Sequence, residues 1–122
     1  MTLQETVTER AKQALAQLVS QVIARVPTAR ANTSDNLVVG VPTVCASFLK
    51  SAQSETVDLC VNIRTTAGTV TISADLVQGG NGEVFSEMTA VTFASDQDAE
   101  VALRGLEVYV RNQAETIVRE LR

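Results

Sequence analysis

The sequence predicts an α+β fold: an N-terminal helix, an antiparallel β-meander of three to four strands and a C-terminal helix, with both helices packed on one face of the sheet. Three observations carry this. Apolar residues recur every three or four positions at both ends of the chain, the spacing of a helix with one buried side. Between the ends, apolar and polar residues alternate with period two, the spacing of a strand with one face in a core. The alternating runs are separated by short turns bearing glycine or asparagine, which make consecutive strands antiparallel neighbours. A length of 122 residues is that of one domain, residues 1–122, and such a domain buries roughly two-thirds of the surface its unfolded chain exposes.

Each element has its own warrant. Residues 3 to about 26 read as a helix because Leu3, Val7, Ala11, Ala14, Leu18 and Val22 share one face. Leu15, Val19, Ile23 and Val26 widen that stripe enough to touch two neighbours, a sheet and another helix. Pro27 lacks the backbone donor a helix needs and stops it, and TARANTSDN follows as a polar connector. NLVVGVP (36–42) reads as a short buried strand. TVCASFLKS (43–51) fits a strand through Val44, Ala46 and Phe48, and also fits a helical turn through Val44 with Phe48; strand is preferred. In 55–66, Val57, Leu59, Val61 and Ile63 point inward while Asp58, Cys60, Asn62 and Arg64 point outward. Ala67-Gly68 turns the chain, and Val70, Ile72, Ala74 and Leu76 then repeat the pattern.

LVQGGNGEVF follows, with Gly79, Gly80, Asn81 and Gly82 together. A phosphate-cradling loop leads into a helix N-terminus and carries a cation. This one leads into a strand, lacks lysine and is followed by Glu83, so it reads as a hairpin through Asn81-Gly82. The next strand, EVFSEMTAVTF, has blurred faces, because Phe85, Val91 and Phe93 share a side with Glu87 and Thr89. Residues 96 to 122 read as one long helix. Ser95 is its N-cap, Asp96 and Asp98 suit the positive end of its dipole, and Ala99, Leu103, Leu106, Val110, Ala114, Ile117 and Leu121 are its core stripe.

Composition narrows function. Hydrophobic residues make up 45% of the chain and charged ones 20%, so it is neither a disordered tail nor a fibre. A net charge of −4, with acids outnumbering bases, argues against a nucleic-acid partner. No run is long and apolar enough to suggest a membrane span, and the N-terminus does not read as a signal peptide. The expectation is a cytoplasmic protein in which Cys45 and Cys60 are reduced thiols used for packing. Histidine is absent, which removes Ser-His-Asp and Cys-His catalysis and imidazole metal ligands. No catalytic, metal or cofactor site is expected.

Two surfaces remain. On the last helix, Glu100–Arg104, Glu107–Arg111 and Glu115–Arg119 stand at i, i+4 and read as a self-neutralised solvent face. Beside them Val101, Gly105, Val108, Tyr109 and Asn112 form a second strip away from the core stripe, where a mid-helix glycine costs about 1 kcal/mol relative to alanine. It reads either as a contact with another copy of the chain or as a groove filled by the N-terminal helix. The outer sheet face, through Asp58, Asn62, Arg64, Thr71, Ser73 and Asp75, reads as solvent-exposed or as an interaction surface. The size, acidity and helix–meander–helix order loosely resemble small secretion-chaperone-like proteins, in gross organisation only. Together these point to a non-enzymatic interaction protein that self-associates, as adaptor, chaperone-like protein or structural subunit, with a protein partner and neither nucleic acid nor membrane. The alternative is a small-molecule-binding domain or histidine-independent enzyme, its pocket between helices and sheet and its polar groups Asp58, Arg64, Asp75 and Glu87.

Overall fold

The computed structural model describes residues 2–38, 41–49 and 55–122. Its elements run α1 (Leu3–Arg25), β1 (Arg30–Val38), β2 (Val41–Leu49), β3 (Thr56–Thr66), β4 (Thr69–Gln78), β5 (Val84–Phe93), α2 (Asp96–Asn112) and α3 (Ala114–Leu121). The strands form one antiparallel meander in the order β1-β2-β3-β4-β5, with β1 and β5 as the edges. α1 lies over β1, β2 and β3, α2 lies against α1 and β5, and α3 packs on α1 and reaches β2. The α+β class and the helices on one sheet face are as the periodicities predict. Among the described residues no helix is long and apolar enough to cross a membrane.

Local chemistry explains the boundaries. Thr2 and Glu5 close a capping box on α1, in which the backbone N–H groups of Thr2 and Glu5 each donate to the other's side chain. Ser95 Oγ accepts from Asp98 N at 3.1 Å and starts α2. Ala67 and Gly68 both have positive φ (49° and 82°), which gives the β3–β4 hairpin the backbone twist of its strands. The second hairpin is longer than a two-residue turn: Gln78 N donates to Glu83 O at 2.8 Å, and Asn81 Oδ1 accepts from Glu83 N at 2.9 Å. Only Gly82 there has positive φ, while Gly79 serves a close approach, donating its N–H to Thr56 O at 2.7 Å.

Val44, Ala46 and Phe48 of β2 join Val57, Leu59, Val61 and Ile63 of β3 and Val70, Ile72, Ala74 and Leu76 of β4 on the helix side. Against them pack Val7, Ala11, Leu15, Leu18 and Val22 of α1 and Leu103, Leu106, Val110, Ile117 and Leu121 of α2 and α3.

Four expectations are corrected. The meander has five strands, because the polar stretch read as a connector begins β1 at Arg30. Its backbone pairs with β2 in register Asn32↔Ser47 and Ser34↔Cys45, and an edge strand needs little apolar surface once its ladder is made. The run 36–42 is therefore not a strand of its own. It contains the end of β1 and the start of β2, while residues 39–40 and the tail of 43–51 beyond Leu49 lie outside the described residues. The final helix is not continuous. Gln113 Nε2 donates to Tyr109 O at 3.1 Å, taking the acceptor its own backbone N–H would use, and that N–H turns to Val110 O at 3.1 Å. The chain then restarts as α3. Finally, the cysteines are not free thiols. Cys45 and Cys60 stand opposite each other in β2 and β3 with Cα atoms 4.1 Å apart, and their sulfurs are bonded.

Candidate functional site

β5 and α2 build the most distinctive surface. Two irregularities break the β4–β5 register, between Ile72 and Ala74 and between Leu76 and Val77. Each lets β5 carry an extra residue, so its side chains change face along the strand. Val91 pairs with Ile72 and Phe93 with Val70, which puts both on the helix side; Met88, opposite Ala74, joins them, while Glu87 lies opposite Asp75 on the outer face. The blurred faces of this strand in the sequence are these two bulges.

α2 lies beside that row, which leaves Val91 exposed while Phe93 is buried. Tyr109 anchors the helix to the strand: it is half-buried, and Ser86 Oγ donates to its hydroxyl at 3.1 Å. Burial holds the phenol above its usual pKa, with the Ser86 bond opposing and Asp75 and Glu87 adding. Between strand and helix runs an open groove of about 440 Å³, lined by Met88, Val91 and Phe93 on one wall and by Asp98, Val101, Ala102 and Gly105 on the other. Among the described residues the exposed large hydrophobics are Val84 (48%), Val91 (40%), Val101 (69%) and Val108 (45%), all on β5 or α2. Asn112 is exposed at the end of the strip.

α1 does not fill this strip. It holds the opposite flank of α2 through Arg10, which reaches Glu100 at 2.9 Å and Glu107 at 2.5 Å. These bonds raise the Arg10 pKa, and Arg10 lowers that of Glu100. A side-chain carbon added at Gly105 would meet nothing within 4 Å, so no contact among the described residues requires glycine there. The reading of the helix charges as self-paired is also corrected. Of the three i, i+4 pairs only Glu100–Arg104 closes, at 3.6 Å, because Glu100 and Glu107 turn to Arg10 and Glu115 turns to Arg25 at 2.6 Å. Partners on α1 lie about 90 residues away in sequence, so helix spacing could not reveal them.

The outer sheet face is polar and bare of helices. Asp58, Asn62, Thr71, Ser73 and Asp75 alternate with the buried residues of β3 and β4, as the period-two pattern predicts, and Arg64 is exposed opposite Thr71. The pocket imagined between helices and sheet therefore does not receive Asp58, Arg64, Asp75 and Glu87, which the pleat turns the other way. Desolvation, then the neighbouring Glu87, raises the pKa of Asp75. The Cys45–Cys60 bond lies on the same face, between Ser34 and Asp75 in the ladder. A sequence signal for it existed: once Val44, Ala46 and Phe48 point inward, Cys45 must point outward like Cys60.

The groove residues that sequence reasoning did not assign to this surface are Met88, Val91, Thr92, Phe93 and Asp98, whereas Ala102 already stood at the flank of the strip. The β5 residues were hidden by the bulges. Comparison with protein-family models, curated proteins and solved structures finds no match to this chain.

Proposed function

We propose that this chain is a non-enzymatic interaction protein that self-associates through the edge formed by α2 and β5. One observation carries the reading: three of the four exposed large apolar side chains of the described residues, Val91, Val101 and Val108, lie on the same side of those two elements, at or next to an unfilled groove along the β5 edge of the sheet. Clustered apolar surface of this kind marks interaction sites, whereas singly scattered apolar residues do not. Within this reading the protein is an adaptor, a chaperone-like protein or a structural subunit, and its partner is a protein.

The pocket-enzyme alternative is weaker, because its four polar groups lie on the sheet face away from the helices. The sequence also suggested a cytoplasmic protein, but the Cys45–Cys60 bond favours an oxidising compartment, where disulfides persist.

Size-exclusion chromatography with light scattering tests the function. Wild type should run above the 13.0 kDa chain mass, and Val108→Glu should shift towards it with its circular dichroism unchanged. A wild type that stays monomeric at every concentration refutes self-association.

A further inference from the structure

We infer that the Cys45–Cys60 bond is a thiol-exchange site as well as a brace: a small thiol attacks the sulfur of Cys45 and releases Cys60 while the sheet stays folded. The inference goes beyond self-association and does not depend on it.

Access comes from the pleat. Both cysteines are half-buried on the outer sheet face, since their neighbours Val44, Ala46, Leu59 and Val61 point to the helices. α1, α2 and α3 all pack on that other face, so no described helix stands over the two sulfurs. Breaking the bond does not part the strands. β2 and β3 remain paired from Thr43↔Asn62 to Leu49↔Thr56, with β1 and β4 on their far sides. Their Cα atoms, 4.1 Å apart, keep the two thiols facing each other, so the bond re-forms within one chain.

The register makes the two sulfurs unequal. Beyond Cys45 lies Ser34 of the edge strand β1, and Ser47 stands two residues along β2; both are uncharged. Beyond Cys60 lies Asp75 of β4 and then Glu87 of β5, and Asp58 stands two residues along β3. Directly opposed residues of this kind are about 5 Å apart. Exchange proceeds by a thiolate entering in line with the S–S bond, and the negative charge is shared by the entering and leaving sulfurs. When Cys45 is attacked, those two are a sulfur on the Ser34 side and Cys60. When Cys60 is attacked, they are Cys45 and a sulfur over Asp75. Both charged ends are thus one bond length farther from the acids in the first case. The thiol's sulfur bonds to Cys45, the S–S bond breaks, and Cys60 leaves with its electron pair and takes a proton from water. A second thiol attacks the adduct and frees Cys45, so two thiols are oxidised to one disulfide and the protein disulfide is reduced.

The test uses oxidised wild type and β-mercaptoethanol, a probe with no charge beyond its thiolate, at about pH 8 where a free thiol is partly ionised. Samples quenched in acid at early times, alkylated and mapped by mass spectrometry should carry the adduct on Cys45 severalfold more often than on Cys60. Asp75→Asn/Glu87→Gln should bring that ratio towards one, and Glu87→Gln alone, on the exposed edge strand, should bring it part of the way. Opening should be no faster in low urea, and circular dichroism should be unchanged by reduction. A rate that climbs with urea from the first addition means that the bond opens only when the chain unfolds, and overturns exchange in the folded sheet. An adduct shared equally, or favouring Cys60, overturns the assignment of Cys45, as does a ratio that neither variant moves.

Discussion

Gly105 is where local and global demands part. An alanine there would gain about 1 kcal/mol in helix propensity and meets open space in the single chain. Gly105→Ala should therefore raise the thermal midpoint of dilute monomer by about 4 °C, the shift about 1 kcal/mol gives in a domain this size. The same substitution should weaken self-association, since it adds a carbon at the centre of the exposed Val101–Gly105–Val108 strip. Differential scanning calorimetry at low concentration and light scattering across a dilution series read the two effects separately. A lower midpoint in dilute solution would mean that the space beside Gly105 is not open. Gly79 is the contrasting case: a side chain there would collide with the Thr56 hydroxyl, so its smallness serves the fold and not a partner.

At the scale of elements, the β2–β3 pair is held twice, by its ladder and by a covalent bond. The disulfide spans a sequence separation of 15, and closing a loop of that length stabilises by about 3 kcal/mol in the chain-entropy account. Cys45→Ser/Cys60→Ser should therefore melt about 10 °C lower than wild type. Either single variant should match the double, because one thiol without its partner closes no loop. Wild type in excess dithiol should fall to the same midpoint; full stability retained in reductant would mean that the bond contributes nothing. The α2–α3 break shows the same dependence on a specific partner, since one buried glutamine amide takes the carbonyl its own backbone donor would use, and α2 ends there.

Across the whole molecule, the helical layer is tied together by charges from distant segments. Arg10 clamps Glu100 and Glu107, and Arg25 clamps Glu115. Hydrogen bonds from these arginines, then their charge, lower the pKa of Glu100 and Glu115 from the usual 4.5. A carboxylate whose folded pKa is depressed contributes stability above its unfolded pKa and loses it as pH falls through the folded value. The midpoint of wild type should thus be steady near neutrality and decline below about pH 4.5. Arg10→Met should melt a few degrees lower at pH 7, as expected for a partly exposed ion-pair cluster. The gap should close in acid, where Glu100 is protonated in both proteins. A gap that stays constant with pH would assign the loss to packing of the Arg10 side chain. Asp75 runs the other way: its raised pKa means that its charge is disfavoured in the fold above the usual carboxylate range.

The sequence by itself determined the two helical ends, the inward faces of β3 and β4, the two hairpins between β3 and β5, and the α+β class. Each follows from periodicity or turn chemistry within a few residues, where backbone geometry dictates which side chains share a face. The strip Val101–Gly105–Val108 was legible for the same reason, as helix spacing alone separates it from the core stripe. Only the tertiary structure decided what stands opposite what. β1 becomes a strand because β2 supplies its ladder, Cys45 meets Cys60 through the β2–β3 register, and Arg10 finds its acids on a helix at the far end of the chain. Likewise the bulges that turn Met88, Val91 and Phe93 towards α2 are set by pairing with β4, so the groove has no signature in β5 read alone. Such contacts depend on residues far apart in sequence, and they exist only once the chain has closed on itself.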